Sequence, residues 1–258
     1  MSAPPPHVLK AFGVADAESL PGGRGTSWRV GGLVLKPLDM LEEELVWRAE
    51  VLGAQREDGF RIAVPLPQLV DGWCASRFVE GRHEPRRWTE IVAAGSRLHA
   101  ALAGVPRPDF LDLRTDRWAI GDRVAWGEPP PPEAADAKHL RRLLAALRPV
   151  DSVPQLVHGD LTGNVLFEPG LPPAVIDFAP YWRPEGFGGA VVVADALTWE
   201  GADATLLDAI EIPELPQLLL RALVYRIVTD ALFRLGEPLR ADGEDPFLPA
   251  VELALGLV

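Results

Sequence analysis

The spacing of apolar positions changes along the chain and divides it into two halves. From Leu20 to Pro37 (LPGGRGTSWRVGGLVLKP), glycines cluster at Gly22, Gly23 and Gly25. Trp28 to Val30 then alternates as a strand, Gly31-Gly32 turns, and Leu33-Val34-Leu35-Lys36 reads as the second strand of a hairpin. From Leu38 to Arg56, Leu41, Leu45, Ala49 and Leu52 recur at helical spacing. Pro65 and Pro67 break the next stretch, and Gly72 to Glu80 (GWCASRFVE) is a short aromatic and β-branched strand closed by Gly81. Residues 1–80 therefore predict a β-rich lobe carrying one helix.

Residues 81–258 have a different character. Arg86 to Ala103 is rich in Ala and Leu and predicts a helix ending at Gly104, with Pro106 and Pro108 beyond it. Asp109 to Gly127 shows no clear period. Pro129 to Pro132 is a stiff connector, and Ala134 to Leu147 a second helix. Gln155 to Val157 and Val165 to Phe167 are short apolar segments flanking a polar loop, and Ala174 to Phe178 is another. The remainder, from Ala190, reads as mainly helical with breaks at Pro213, Pro216 and Pro246. The predicted class is α+β in two lobes, a small sheet-rich one followed by a larger helical one.

Composition narrows the function. The chain has 258 residues, 48% hydrophobic and 24% charged, with a net charge of −12. That balance argues against nucleic acid, whose binding needs Lys and Arg to neutralise phosphates. It fits a cationic or neutral small ligand better. No run approaches the ~20 apolar residues of a membrane span, Met1 to His7 lacks the pattern of a secretory signal, and the lone Cys74 excludes an internal disulfide. A cytoplasmic protein is expected. Lysine occurs only at Lys10, Lys36 and Lys138, so a lysine placed in a strand, as Lys36 is, calls for a reason.

The chemistry concentrates in HGDLTGNVLF at 158–167 and AVIDFAP at 174–180. An Asp at a strand end can orient an alcohol and accept its proton. An Asn and a second Asp offer hard oxygen ligands for Mg²⁺ on nucleotide phosphates. These segments resemble the catalytic loop and metal motif of the aminoglycoside-phosphotransferase and choline-kinase-like families, H-G-D-x-x-x-x-N followed by I-D-[FW]. The resemblance runs from about Gly22 to Leu197 and implies a protein-kinase-like fold and transfer of a phosphoryl group from ATP or GTP, with Mg²⁺, to a small-molecule alcohol. It makes Asp160 the catalytic base, and Asn164 and Asp177 the metal ligands. One departure stands out. The family places the Asn five residues after the Asp, whereas Asn164 is four after Asp160. Gly163 permits a tight turn there. A nucleotide-binding pseudokinase with a regulatory role is the alternative reading.

In the amino-terminal segment, Gly22, Gly23 and Gly25 can cover phosphates with backbone N–H groups, and the Lys36 ammonium can reach them. In similar proteins a carboxylate about one helix downstream holds that lysine; Glu50 fits the spacing best, with Glu43 and Glu44 as competitors. Arg77-Phe78-Val79-Glu80-Gly81 resembles the segment joining the lobes, which implies that backbone groups near Ala75 to Phe78 meet the base. His99 is read as a packing residue and Asp195 as a brace behind the loop. Tyr181 and Trp182 follow the metal motif and are read first as core, second as the wall of an acceptor pocket.

Overall fold

A computed structural model of the chain describes residues 3–21, 25–133, 137–234 and 245–258. The chain opens with α1 (Pro6–Ala11), β1 (Glu18–Ser19), β2 (Trp28–Val30), β3 (Leu33–Pro37), α2 (Glu42–Gly53), β4 (Arg61–Ile62), β5 (Pro65–Val70) and β6 (Trp73–Arg77). It continues through α3 (Trp88–Leu102), a 3₁₀ turn (Asp109–Asp112), α4 (Arg117–Ala125), α5 (Ala137–Ala146), β7 (Pro154–His158), β8 (Val165–Leu166), β9 (Ala174–Val175) and β10 (Pro180–Pro184). Helices α6 (Phe187–Trp199), α7 (Thr205–Asp208), α8 (Leu215–Arg234) and α9 (Leu248–Leu255) complete it. Two compact units result: Met1–Arg82 with Leu166–Asp177, and His83–Val165 with Phe178–Val258. The expected division at residues 80/81 did not anticipate the return of 166–177 to the first unit.

The first unit is built on an antiparallel sheet in the order β1-β2-β3-β6-β5. Strand alternation sends Leu35 into a core with Val8, Val30 and Ala75 and turns Lys36 to the other face. Pro65 and Pro67, expected as breaks, lie within β5. The reason is its place at the sheet edge, where a residue lacking an N–H costs no ladder bond; the register also shifts between Pro65 and Leu69. A second pairing joins β4 to β9 in parallel, Arg61 opposite Ala174 and Ile62 opposite Val175. Arg61 adds side-chain bonds to the Pro172 carbonyl (2.8 Å) and the Glu80 carbonyl (2.9 Å).

The second unit is helical around the β7–β10 hairpin-like pair, in which Pro180 stands opposite His158 and Pro184 opposite Pro154. Its core is carried by α6 and α8, both buried along nearly their whole length, so neither shows a polar stripe. Helix α8 packs against α4, α5, α6 and α9. Helix α4 fills the stretch whose period was illegible. It starts at Asp116, whose carboxylate accepts from the Ala119 N–H (2.9 Å), and it approaches α8 so closely that a Cβ on Gly121 would lie 2.8 Å from the Tyr225 carbonyl. Buried Asp122 on that helix breaks the apolar pattern.

Candidate active site

Strand β7 delivers His158, Gly159 and Asp160 to its carboxy-terminal end, and the loop is fixed from behind. The Gly159 N–H donates to the Ala179 carbonyl (3.0 Å) and the Asp160 N–H to His158 Nδ1 (3.1 Å). The His158 N–H donates to His99 Nε2 (2.9 Å). That leaves the His99 proton on Nδ1, which donates to the Glu185 carbonyl (3.0 Å). His99 is buried, as packing requires, and it also sets the height of the loop. Glu185 is held below the usual carboxylate range by its hydrogen bond to His99 and by Ser96, whose hydroxyl donates at 2.5 Å.

The shortened loop closes as a turn. The Asn164 N–H donates to the Leu161 carbonyl (3.0 Å), and Gly163 takes φ +78°. The Asn164 side-chain amide turns back and donates through Nδ2 to the Asp160 carbonyl (2.8 Å), so its Oδ1 is the atom left to act as a ligand. Asp160 and Asn164 are thus held together as one piece of structure, with the missing residue absorbed by the glycine.

Asp160 is itself gripped. Its Oδ1 accepts from Arg226 Nη2 at 2.6 Å. The same guanidinium takes both oxygens of buried Asp195, Nε to Oδ1 at 2.7 Å and Nη2 to Oδ2 at 2.6 Å. Burial works against the Arg226 charge, but Asp195 and Asp160 outweigh it and push its pKa well above the ordinary value. Asp195 braces the loop as expected, through an intermediary that sequence reading missed. Arg226 lies 66 residues from Asp160, so no spacing signals it. The one available hint was an arginine inside the apolar run LLLRALVYRIV.

In the first unit, Lys36 and Asp177 meet. Lys36 Nζ is 2.5 Å from Asp177 Oδ1 and 3.4 Å from Asp39 Oδ1. Burial disfavours the ammonium; the two carboxylates, Asp177 first, more than offset that and hold its pKa above the usual lysine value. Asp177 adopts φ +50°. Glu50, expected to hold Lys36, is exposed and does not pair with it. Helix α2 turns Glu44 inward instead, where it is spent on Arg48 one turn on. Glu43 is exposed.

In the segment expected to meet the base, two backbone amides are already engaged. The Arg77 N–H donates to the Val64 carbonyl and the Phe78 N–H to the Gly32 carbonyl, each at 2.8 Å. Those two donors continue the ladders of β6, which has a strand on either side, and are not available to a ligand. The Arg77 side chain pairs with Glu57, and the Phe78 ring lies 4.0 Å under the Arg29 guanidinium. Gly25 has φ +66°; Gly22 and Gly23 fall outside the described residues.

A family model described as the phosphotransferase enzyme family matches residues 33–181, more than half of the chain and spanning Lys36, Asp160, Asn164 and Asp177. The chain belongs to that family. No curated protein matches this phosphotransferase. Solved structures share its fold at low identity. The amicoumacin kinase hAmiN in complex with AMP-PNP, Ca²⁺ and Ami aligns with TM-score 0.63 at 14% identity, over 98% of this chain and 93% of that one. Spectinomycin phosphotransferase with ADP and spectinomycin gives 0.60 at 15%, covering 96% of each. Choline kinase LicA from Streptococcus pneumoniae gives 0.59 at 13%, covering 98% and 97%. The fold is kinase-like, with a β-rich amino-terminal part and a helical carboxy-terminal part. Among the described residues no helix is long and apolar enough to cross a membrane.

Proposed function

We propose that this phosphotransferase moves the γ-phosphoryl group of ATP or GTP to the hydroxyl of a small molecule, with Mg²⁺ as cofactor and Asp160 as base. The observation that carries the reading is the clamp on Asp160. With Oδ1 committed to Arg226, Oδ2 is the oxygen that faces an incoming alcohol and takes its proton as the alcohol oxygen bonds to phosphorus and the bond to the β-phosphate oxygen breaks. Asn164 Oδ1 and the Asp177 carboxylate are, by their chemistry, the hard oxygen donors that would hold Mg²⁺, an ion content with two protein oxygens beside water and phosphate. When bound, that ion neutralises charge developing on the phosphates. Lys36 binds phosphate oxygens once it gives up Asp177. The ADP named for the spectinomycin enzyme and the AMP-PNP and Ca²⁺ named for the amicoumacin enzyme support use of a nucleotide and a divalent ion here.

Asp160→Asn is expected to lower turnover by about 10²- to 10⁴-fold while nucleotide affinity stays. Unchanged phosphotransfer in that variant would sink the assignment. The shortened loop favours one second reading, a pseudokinase. Stabilisation by ATP and Mg²⁺ with no transfer to any member of a broad alcohol panel selects it.

A further inference from the structure

The ammonium of Lys36 sits on a side chain only 20% exposed, so its charge calls for anionic partners. Among the described residues it has two, Asp177 Oδ1 at 2.5 Å and Asp39 Oδ1 at 3.4 Å. Asp177 is also the carboxylate assigned to Mg²⁺, and an oxygen held on the ion is withdrawn from the lysine. Helix α2 offers no replacement. Glu44 is buried against Arg48, and Glu42, Glu43 and Glu50 are exposed without pairing to Lys36. Asp39 is the carboxylate that remains.

Its position comes from the way β3 ends. In a continuous strand, residues three apart point to opposite faces, so Lys36 and Asp39 could not meet. The strand stops at Pro37, the Leu38 N–H donates to the Gly72 carbonyl (2.8 Å), and the chain then turns toward α2, which starts at Glu42. That turn brings Asp39 back to Lys36, while its own side chain stays 58% exposed. Lysine and carboxylate are tied through one short segment, whichever face α2 presents. Resting on the phosphotransferase reading above, we propose that Asp39 is the positioning residue of Lys36: it keeps the ammonium directed at the nucleotide phosphates after Asp177 has passed to Mg²⁺. An ammonium has three N–H donors, so a bond to Asp39 leaves two for phosphate oxygens.

Asp39 acts on bound phosphates in two opposed ways, by directing Lys36 and by its own negative charge, and a double-mutant cycle separates them. Calorimetric titration of the full chain with AMP-PNP and Mg²⁺, or with GMP-PNP if that binds tighter, supplies the affinities. Asp39→Asn should weaken binding about threefold or more in the natural chain. In a Lys36→Met background only the repulsion is left, and the same change should leave affinity equal or raise it. Asp39→Glu, which keeps the charge, should recover most of the loss, and Glu50→Gln should cost nothing. The chain has only Lys10, Lys36 and Lys138, so the Lys36 ε-methylene can be followed by NMR in the nucleotide complex. That signal should shift and gain mobility in Asp39→Asn and stay in place in Glu50→Gln, which decides the question should Lys36→Met fail to fold. The proposal is overturned if Asp39→Asn has the same effect in both backgrounds, if Lys36→Met leaves affinity unchanged, if Glu50→Gln is the variant that loses it, or if neither nucleotide binds. The two readings fail separately. Coupling of Asp39 to Lys36 without transfer to any alcohol removes the kinase and keeps Asp39; transfer from ATP without that coupling keeps the kinase and removes Asp39.

Discussion

Two ion pairs set the charge of the candidate machinery, and they differ in how deeply they are buried. Arg226 sits between Asp195, whose side chain is 3% exposed, and Asp160, at 35%. Such a cation is stable only while its partners remain, because removing one member of a buried pair strands the other. Asp195→Ala should therefore cost about 3–5 kcal/mol in urea unfolding, and a loss under about 1 kcal/mol would mean that Asp195 does not anchor the loop. Lys36 is reached by solvent, and its neighbour Cys74 supplies a separate readout. Burial pushes the Cys74 thiol up to about 11, against which Lys36 pulls only partly. In the folded chain the thiol therefore keeps its proton at a pH where the unfolded chain, near ~8.5, has lost it. Stability should fall as pH rises through that window. The Lys36 pair adds to the fall at higher pH, because a raised lysine pKa stabilises below the unfolded value and is lost above the folded one. Urea midpoints at pH 8 and pH 10.5, with slow iodoacetamide labelling of native Cys74 at pH 8, check this; a flat profile or rapid labelling contradicts it.

At the scale of elements, glycines separate two kinds of constraint around the same loop. Gly163 has φ +78° and open space where a Cβ would go, so Gly163→Ala carries only the backbone cost of the left-handed region, about 1–2 kcal/mol. Gly188 on α6 has ordinary backbone angles, yet a Cβ there would lie 2.4 Å from the His158 carbonyl and 2.9 Å from the His99 ring. Gly188→Ala must push α6 off β7, and about 1–3 kcal/mol of overpacking should come with displaced His99 and His158 resonances in NMR spectra. Gly163→Ala should leave those resonances in place. The pair of spectra decides whether α6 or the turn sets the loop. This contrast explains what the sequence disclosed. Asp160, Asn164 and Gly163 are near neighbours whose spacing is written in the chain, so the turn could be foreseen. The helix face turned inward could not. Glu44 rather than Glu50 is buried because docking of α2 against β5 chooses the face, and apolar spacing along α2 leaves that rotation open.

The whole molecule adds a constraint that neither residue patterns nor single elements contain. Alternation from Leu33 to Lys36 and the apolar helices after Ala190 were enough to read an α+β fold with sheet first and helices after. They could not show that the first unit is discontinuous, because a parallel pairing between Arg61-Ile62 and Ala174-Val175 spans more than a hundred residues and each strand is only two residues long. The Arg61 N–H donates to the Pro173 carbonyl (2.8 Å), the Ala63 N–H to that of Val175 (3.0 Å), and Arg82 exchanges two backbone bonds with Phe167 (3.0 and 2.9 Å). A fragment of residues 1–82 leaves these groups to water, and the segment that carries Asp177 to Lys36 is missing from it. Hydrogen exchange should then show Arg61, Ala63 and Arg82 protected in the full chain and unprotected in the fragment, while amides of β3 and β6 keep more of their protection. Fusing 166–177 to the fragment through a flexible linker should restore the three. Equal protection with and without that segment would mean that the amino-terminal sheet is self-sufficient, and that Asp177 reaches Lys36 without help from the pairing that precedes it.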